Sequence, residues 1–431
     1  MRTTTISRPG ARVAPGPGDP TRHKKEITVF TIPNDGHLNI LRRLIGRYQD
    51  SYEFQLVFVD QRNTPPDLRD LTVPVRWLTN ARGFTNTPAT RLFERVAAVL
   101  DECLDLVRAR RPDLIIYDFC AVEGNLVGRA AGIPYWCSIP GLVGPFIHRD
   151  YLTDSLSSPA NRSAIAAIRR RFGIDVEPDD VEVISNCLHM PGELNLLWSY
   201  PSVTPRDFLR NRKTADYQFA GYLSDGYART GGSARPLIYL SFGTEVMDNL
   251  WPAQRQTRAG VRECVAGLAD RWRGGDVEVV FVTQGRPVLG HYPPNWTVRD
   301  TVDQQRVLSR ADVFVTHGGA NSFHEALLFK VPMVVVPFFG DQVLIGRRVE
   351  ELGIGVDLIR DERIDKDKTR RFLGDGLAAA IDRAVRRMLA DGAYRRGFEG
   401  IALESTPPLA ALAAAQAGAA PLGPARLIRV G

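Results

Sequence analysis

Apolar runs of strand length alternate with stretches of helical spacing, and they do so twice along the chain. In the first half "EITVFTI" (26–32) leads into "HLNILRRLIGRY" and then "EFQLVFVD" (53–60). Further on, "DLIIYD" (113–118) leads into "AVEGNLVGRAAG" and "IPYWCSI". Strands that are apolar throughout, separated by helices, belong to parallel sheets covered on both faces, because a parallel connection needs a crossover. Between them, residues 88–110 place Leu92, Phe93, Val96, Val99, Leu100, Cys103, Leu104 and Val107 on one helical face, with Pro88 suited to the first turn. The alternation restarts with "PLIYLSF", a helix over 252–272, "VEVVFVTQ" (277–284), "DVFVTH" (312–317) and "VPMVVVPFF" (331–339). Helices over 341–353 and 370–391 follow.

The fold class expected is therefore α/β, with two Rossmann-like, doubly wound parallel-sheet domains facing a cleft. Ligands of such sheets bind beyond the carboxyl ends of the strands. The chain divides into a flexible arm (1–25), a first domain (26–224), a linker (225–235), a second domain (236–405) and a tail (406–431). The linker "DGYARTGGSARP" is rich in Gly, Ser and Arg, and the tail is of low complexity. Residues 139–232 are less regular, with a helix expected around 161–172 and an apolar "ELNLLWSY" at 193–200.

The net charge of +6 comes from scattered arginines rather than a basic stripe interleaved with aromatics, so no nucleic acid is expected as a partner. The excess suits an anionic small molecule. Five cysteines, an odd count with no C-x-x-C pair, indicate a reducing cytoplasm with neither disulfides nor a zinc site. No apolar run is long enough for a membrane span and no basic amphipathic helix is evident, so membrane association is not expected. A homodimer is compatible with everything above.

The stretch "THGGANSFHEALLFKVPMVVVPFFGDQ" (316–342) carries the most chemistry. Gly318 and Gly319 fall where a strand ends and a helix begins, where free amides make an anion site and glycine admits a phosphate to the backbone. Asn321 and Ser322 add donors there. Glu325 lies one turn deeper on the face of Asn321, placed to accept hydrogen bonds from a ribose diol. Asp341 and Gln342 follow the next strand and can hold the hydroxyls of whatever the diphosphate carries. In the first half, "NDGHLNIL" sets His37 at a helix start just after a strand. An imidazole with a pKa near about 6.5 suits proton removal from a hydroxyl at neutral pH. Asp118 ends its strand facing the same cleft.

Together, "VFVTHGGANSFHEALLFKVPMVVVPFFGDQ", "YLSFGT", "VDQQRVLSRADVFVTHGG", "GRRVEELGIG", "NDGHLNIL" and "PDLIIYDF" resemble the inverting GT-B glycosyltransferases. That superfamily includes plant UDP-sugar enzymes and bacterial macrolide and polyketide glycosyltransferases. The resemblance spans most of 26–360 and implies a UDP- or dTDP-sugar donor and a small, apolar, hydroxylated natural product as acceptor. By the same resemblance His37 is the base and Asp118 its partner. His317, with Thr244, Gly318, Gly319, Asn321 and Ser322, contacts the diphosphate. Gln304 and Glu325 take the nucleoside, Asp341 and Gln342 the sugar. The sequence departs from the pattern at Thr301, Asp303 and Ile345, which bear on the nucleobase platform and the sugar contacts. Acceptor contacts are expected from 60–90 and 139–200.

No metal and no cofactor beyond the nucleotide-sugar co-substrate are expected. His148, His291 and His324 lack ligand spacing, and His324 is expected to be packed or solvated. The Asp-x-Asp pair at 365–367 sits in a charged stretch and reads as solvated surface. A nucleotide-sugar epimerase of the same architecture and a non-catalytic auxiliary subunit are the rival readings. The intact His37, Asp118, Asp341 and Gln342 argue against the second.

Overall fold

The structure is a computed structural model, and it describes residues 24–62, 66–85, 87–142, 149–184, 187–205, 216–230, 234–359, 375–410, 412–413 and 427–429. The first half contains β1 (Lys25–Thr31), α1 (Asp35–Tyr48), β2 (Tyr52–Phe58), β3 (Val75–Trp77), α2 (Leu92–Arg110), β4 (Leu114–Asp118), α3 (Glu123–Ala131) and β5 (Tyr135–Ile139). After α4 (Arg149–Leu156) and α5 (Pro159–Phe172) come β6 (Glu182–Ile184), β7 (Cys187–His189), β8 (Leu194–Leu197) and β9 (Asp216–Phe219). The second half contains β10 (Leu237–Ser241), α6 (Arg255–Arg271), β11 (Glu278–Val282), β12 (Trp296–Arg299), α7 (Gln304–Leu308), β13 (Val313–Thr316) and α8 (Ala320–Phe329). It continues with β14 (Met333–Val335), α9 (Asp341–Glu351), β15 (Gly355–Asp357) and α10 (Asp375–Ala390), and β16 (Leu427–Arg429) closes the described chain.

Two sheets result. The first has the order β16-β9-β8-β5-β4-β1-β2-β3, parallel except where β16 runs against β9. The second has the order β12-β11-β10-β13-β14-β15 and is parallel throughout. Chain order reverses between β1 and β4 in the first sheet and between β10 and β13 in the second. Loops on either side of such a switch point diverge and leave a crevice at the carboxyl ends. His37 follows β1 and Asp118 ends β4. Thr244 follows β10 and His317 follows β13. Each half therefore delivers its candidate residues to its own crevice.

The central strands are continuous apolar runs, as a sheet covered on both faces requires: β4 and β10 are buried at every position. Several elements were not expected. β3, β12 and β15 are short edge strands, while β6 and β7 form a separate antiparallel hairpin. Three to four residues carry too little periodicity to be read against their flanks. Helix α2 begins later than expected, because Ala89–Arg91 forms a 3-10 turn and Pro88 stands before it. Helix α6 likewise starts at Arg255, since Gln254 takes extended angles (φ −122°, ψ 110°) after the short turn Trp251–Ala253.

The halves are packed together rather than merely joined. Leu38 and Leu41 of α1, Trp198 and Tyr200 after β8, Tyr222 of the connection, and Phe323 and Leu327 of α8 belong to one buried apolar cluster. The connecting segment is stitched to the second half: Asp225 N donates to Gln305 Oε1 (2.9 Å), and Arg229 donates to the carbonyls of Phe329 (2.8 Å) and Ala311 (3.1 Å). The tail is tied to the first half where it is described. Thr406 N donates to Phe219 O (2.8 Å), Gln218 Nε2 donates to Pro407 O (3.0 Å), and β16 adds an antiparallel edge to the first sheet. His148, the Asp-x-Asp pair at 365–367 and the first 23 residues of the arm lie outside the described residues.

Candidate active site

Helix α1 starts within a few residues of β1, and His37 N donates to Asn34 O (2.9 Å) in its first turn. This fixes the imidazole at the mouth of the first crevice. His37 Nδ1 lies 2.9 Å from both oxygens of Asp118, whose side chain is fully buried. Asp118 Oδ1 also accepts from Cys120 N (2.9 Å), and the Phe119 ring stacks on the imidazole at 5.1 Å. With Nδ1–H committed to the carboxylate, Nε2 is the proton-accepting nitrogen. Burial, the largest influence, works to lower the His37 pKa. The charge and hydrogen bond of Asp118, with smaller help from Cys187 and Glu245, outweigh it and hold the pKa up to about 9. At that pKa the free ring holds both protons near pH 7, so it must lose the Nε2 proton before it can act as a base on a hydroxyl.

In the second half, β13 delivers His317 and α8 begins with its N-cap at Gly319. The His317 ring is clasped by glycines. A Cβ on Gly243 would stand 2.1 Å from its Cε1, and one on Gly319 would stand 2.5 Å from its Nε2. Gly318 takes φ +83°, and a Cβ there would meet Val335 at 2.7 Å, so these glycines are required by close approach. Burial pushes the His317 pKa down to about 4, against a smaller opposing effect of the Ser241 carbonyl, so the ring is neutral near pH 7. Among the described residues its buried Nδ1 has no hydrogen-bond partner. A neutral ring beside a helix N-terminus meets an anion as a hydrogen-bond donor only in the tautomer that carries its one N–H on the free nitrogen, and not as a counter-charge. Thr244 begins the segment that continues into a π-helical turn, Glu245–Leu250. Ser322 Oγ accepts from Gln304 Nε2 (3.2 Å).

Glu325 is buried and well supplied with partners. It accepts from Gln304 Nε2 (2.7 Å), Tyr222 OH (3.1 Å) and Gln305 Nε2 (3.4 Å), and pairs with Arg43 Nη2 (2.8 Å) from α1 of the other half. The expected ribose carboxylate is thus already engaged, and a diol must share or displace these donors. Asp341 opens α9. Burial raises its pKa to about 6, opposed by His37 and by the backbone amides of Asp341 and Gln342, and assisted by Glu245. Gln342 is turned inward: its Oε1 accepts from Phe338 N (2.8 Å) and Phe339 N (3.3 Å), bracing the loop before α9. His324 is packed, as expected, with Nδ1–H donating to Ala320 O (2.8 Å), Nε2 accepting from Ser199 Oγ (2.9 Å) and its ring stacked on Tyr222.

The two crevices face each other at close range. Asn321 Nδ2 donates to Gly36 O (3.0 Å), so the start of α8 touches the residue before His37. A Cβ on Gly141, after β5, would stand 2.4 Å from Ala320 Cβ. Arg62 bridges Asp35 (3.3 Å) in the first half and Asp248 (3.1 Å) in the second.

Known proteins resemble this chain in sequence and in fold. Residues 268–408 match the family described as "Erythromycin biosynthesis protein CIII-like, C-terminal domain". A Bacillus subtilis protein named "Uncharacterized UDP-glucosyltransferase YojK" is 45% identical over 370 residues, covering 78% of this chain and 85% of that one. The chain belongs to the GT-B glycosyltransferases. The oleandomycin glycosyltransferase of Streptomyces antibioticus is 27% identical over 413 residues, with 86% of this chain and 88% of that one covered. The solved glycotransferase of kitacinnamycin shares the fold at a TM-score of 0.64 and 24% identity, covering 88% of this chain and 93% of that one.

Several residues of this glycosyltransferase's cleft escaped the sequence. Arg43, Tyr222 and Gln305 converge on Glu325 from three separate segments, and no spacing signals that. Among the described residues, His37, Asp118 and Cys120 offer ligand atoms that all lie within 4.8 Å of one another. Spacing along the chain could not reveal this, because His37 comes from a different strand end. No helix among the described residues is long and apolar enough to cross a membrane.

Proposed function

We propose that this glycosyltransferase moves a sugar from UDP or dTDP to a hydroxyl of a small apolar natural product of polyketide or macrolide type, with inversion and without a metal. The observation that carries this reading is the contact of Asn321 with Gly36, which sets an Asp-paired imidazole opposite a helix N-terminus. A base and an anion site facing each other suit a hydroxyl and a diphosphate on opposite sides of one carbon. The relatives named for UDP-glucose and for oleandomycin support a nucleotide-sugar donor and an antibiotic-type acceptor.

In this reading residues 26–224 hold the acceptor and 236–405 the donor, and the enzyme works in the cytoplasm. His37 Nε2 takes the proton of the acceptor hydroxyl while Asp118 carries the counter-charge. The acceptor oxygen bonds to the anomeric carbon from the face opposite the diphosphate. The bond from that carbon to the diphosphate oxygen breaks, and its electron pair leaves with the nucleoside diphosphate. The amides of Gly318 and Gly319, the His317 ring and the Asn321, Ser322 and Thr244 side chains stabilise the leaving charge. Gln304 and Glu325 take the nucleoside, and Asp341, with Gln342 behind it, takes the sugar.

Single-turnover rates at saturating donor test the roles. His37→Ala lowers the rate by roughly a hundred- to ten-thousand-fold, the span typical of general-base catalysis, and leaves donor affinity near wild type. Asp118→Asn also slows turnover, and the double variant loses much less than the product of the two effects. Turnover persists in EDTA. Near-normal turnover in His37→Ala with an acceptor of ordinary acidity overturns the base assignment, and a magnesium-reversible loss in EDTA overturns the metal-free step.

A further inference from the structure

Next to the candidate base stand two cysteines that the transfer reaction does not use. Cys120 follows Asp118 by two residues and is buried. Cys187 begins β7 in the hairpin that packs over this loop, as the edge contact of Phe119 with His189 shows (6.2 Å). Cys187 interacts electrostatically with both Cys120 and His37. None of the five cysteines is in a disulfide.

We propose that His37, Asp118 and Cys120, with Cys187 drawn in as a fourth ligand from outside their cluster, form a binding site for one thiophilic divalent cation of the zinc type, and that its occupation switches sugar transfer off. The ligand atoms of the first three lie within 4.8 Å of one another. A tetrahedral zinc ion with bonds of about 2.0–2.3 Å sets its ligands roughly 3.3–3.8 Å apart, so His37 Nδ1 and Asp118, now 2.9 Å apart, open slightly while the sulfurs close in. Two sulfurs, an imidazole nitrogen and a carboxylate oxygen select zinc over magnesium or calcium, which prefer all-oxygen sets.

The frame around these ligands is stiff. Arg95, itself 1% exposed, donates from Nη2 to Cys120 O (2.7 Å) and pairs with Glu123 (2.8 Å) and Asp60 (3.1 Å). Cys120 N is tied to Asp118 Oδ1.

Inhibition follows from the ring nitrogens. The nitrogen facing Asp118 is Nδ1. Binding the cation there replaces the Nδ1 proton, and a neutral imidazole ligated at one nitrogen keeps its proton on the other. Nε2 then donates and cannot take the acceptor's proton. The inhibitory half of the inference rests on His37 being the base, whereas the binding half does not.

Cobalt(II) separates the two halves. Chelator-stripped enzyme titrated with cobalt(II) develops a thiolate-to-cobalt charge-transfer band that saturates at one ion per chain and is bleached by zinc. Cys120→Ser and Cys187→Ser each weaken binding at least tenfold. Cys264→Ser, in the core of the other half, leaves the band unchanged. Zinc inhibits turnover of the wild type in proportion to occupancy. In Cys120→Ser and Cys187→Ser, zinc inhibition measured against each variant's own metal-free rate is mostly lost. No saturable band, or a band indifferent to both cysteine variants, overturns the site. Saturable binding with turnover intact upholds the site and overturns the base reading.

Discussion

At His317 the ring is closed in by Gly243 and Gly319, and burial holds it neutral at a pKa of about 4. A diphosphate bound there meets an N–H dipole and backbone amides, which carry negative charge without requiring a proton to be taken up first. Asp341 is the opposite case, a carboxyl whose ionisation falls inside the working range. Its pKa of about 6 is set by burial and by Glu245, against the pull of His37 and of two backbone amides. If Asp341 accepts hydrogen bonds from donor-sugar hydroxyls, the charged form binds best. Protonation as the pH falls through about 6 then removes an acceptor, so donor KM rises below that pH and is flat above it. Asp341→Asn has a raised KM with no such inflection. Donor KM measured from pH 5 to 8 checks this, and an inflection that survives in Asp341→Asn counts against Asp341 as its source.

At the scale of elements, the proposed donor site is a junction of two strand ends and one helix start. The turn after β10 and the turn before α8 press on the same imidazole from two sides. Gly243, at φ +75°, is needed both for its backbone angle and for the space its missing Cβ leaves to His317. Gly243→Ala forces the ring aside, so it should weaken UDP or dTDP binding about as much as His317→Ala does. A hydrogen bond to a charged group contributes about 1.5–3 kcal/mol, roughly ten- to a hundred-fold in Kd. Calorimetry with both nucleotides checks both variants, and unchanged affinity in either removes His317 from the diphosphate site. The strained angle adds a loss of stability of its own, visible in thermal melting.

Over the whole molecule, Arg43 ties the halves together at the point where a nucleoside is expected. It reaches from α1 to Glu325 on α8 and to Asp225 in the connection, where Nε and Nη2 each donate at 3.0 Å. A ribose that engages Glu325 competes with this guanidinium, which can remain on Asp225. Arg43→Gln should therefore tighten nucleotide binding several-fold, because Glu325 keeps Tyr222, Gln304 and Gln305 as donors. The same change should lower the melting temperature of the ligand-free enzyme, since it breaks a partly buried pair between the halves. Wild type gains about 2.7 kcal/mol from nucleotide at a hundred times Kd. A weaker nucleotide Kd in Arg43→Gln would instead mean that Arg43 binds the nucleotide itself.

The sequence alone determined the two-sheet architecture, because fully apolar strands alternating with helices leave few other ways to bury both faces. It also determined that His37, Asp118, Thr244 and His317 stand at carboxyl strand ends, since each follows or closes a legible strand. Short edge strands and the β6–β7 hairpin were not legible, because three residues hold no period and their pairing partners are distant in sequence. The tertiary structure alone decided how the ends meet. Asn321 against Gly36, Arg43 against Glu325 and Cys187 beside Cys120 join residues separated by up to hundreds of positions, and no local pattern encodes such distances. It also decided the charge states: sequence supplies an imidazole at both His37 and His317, but a buried carboxylate raises one and burial among glycines lowers the other.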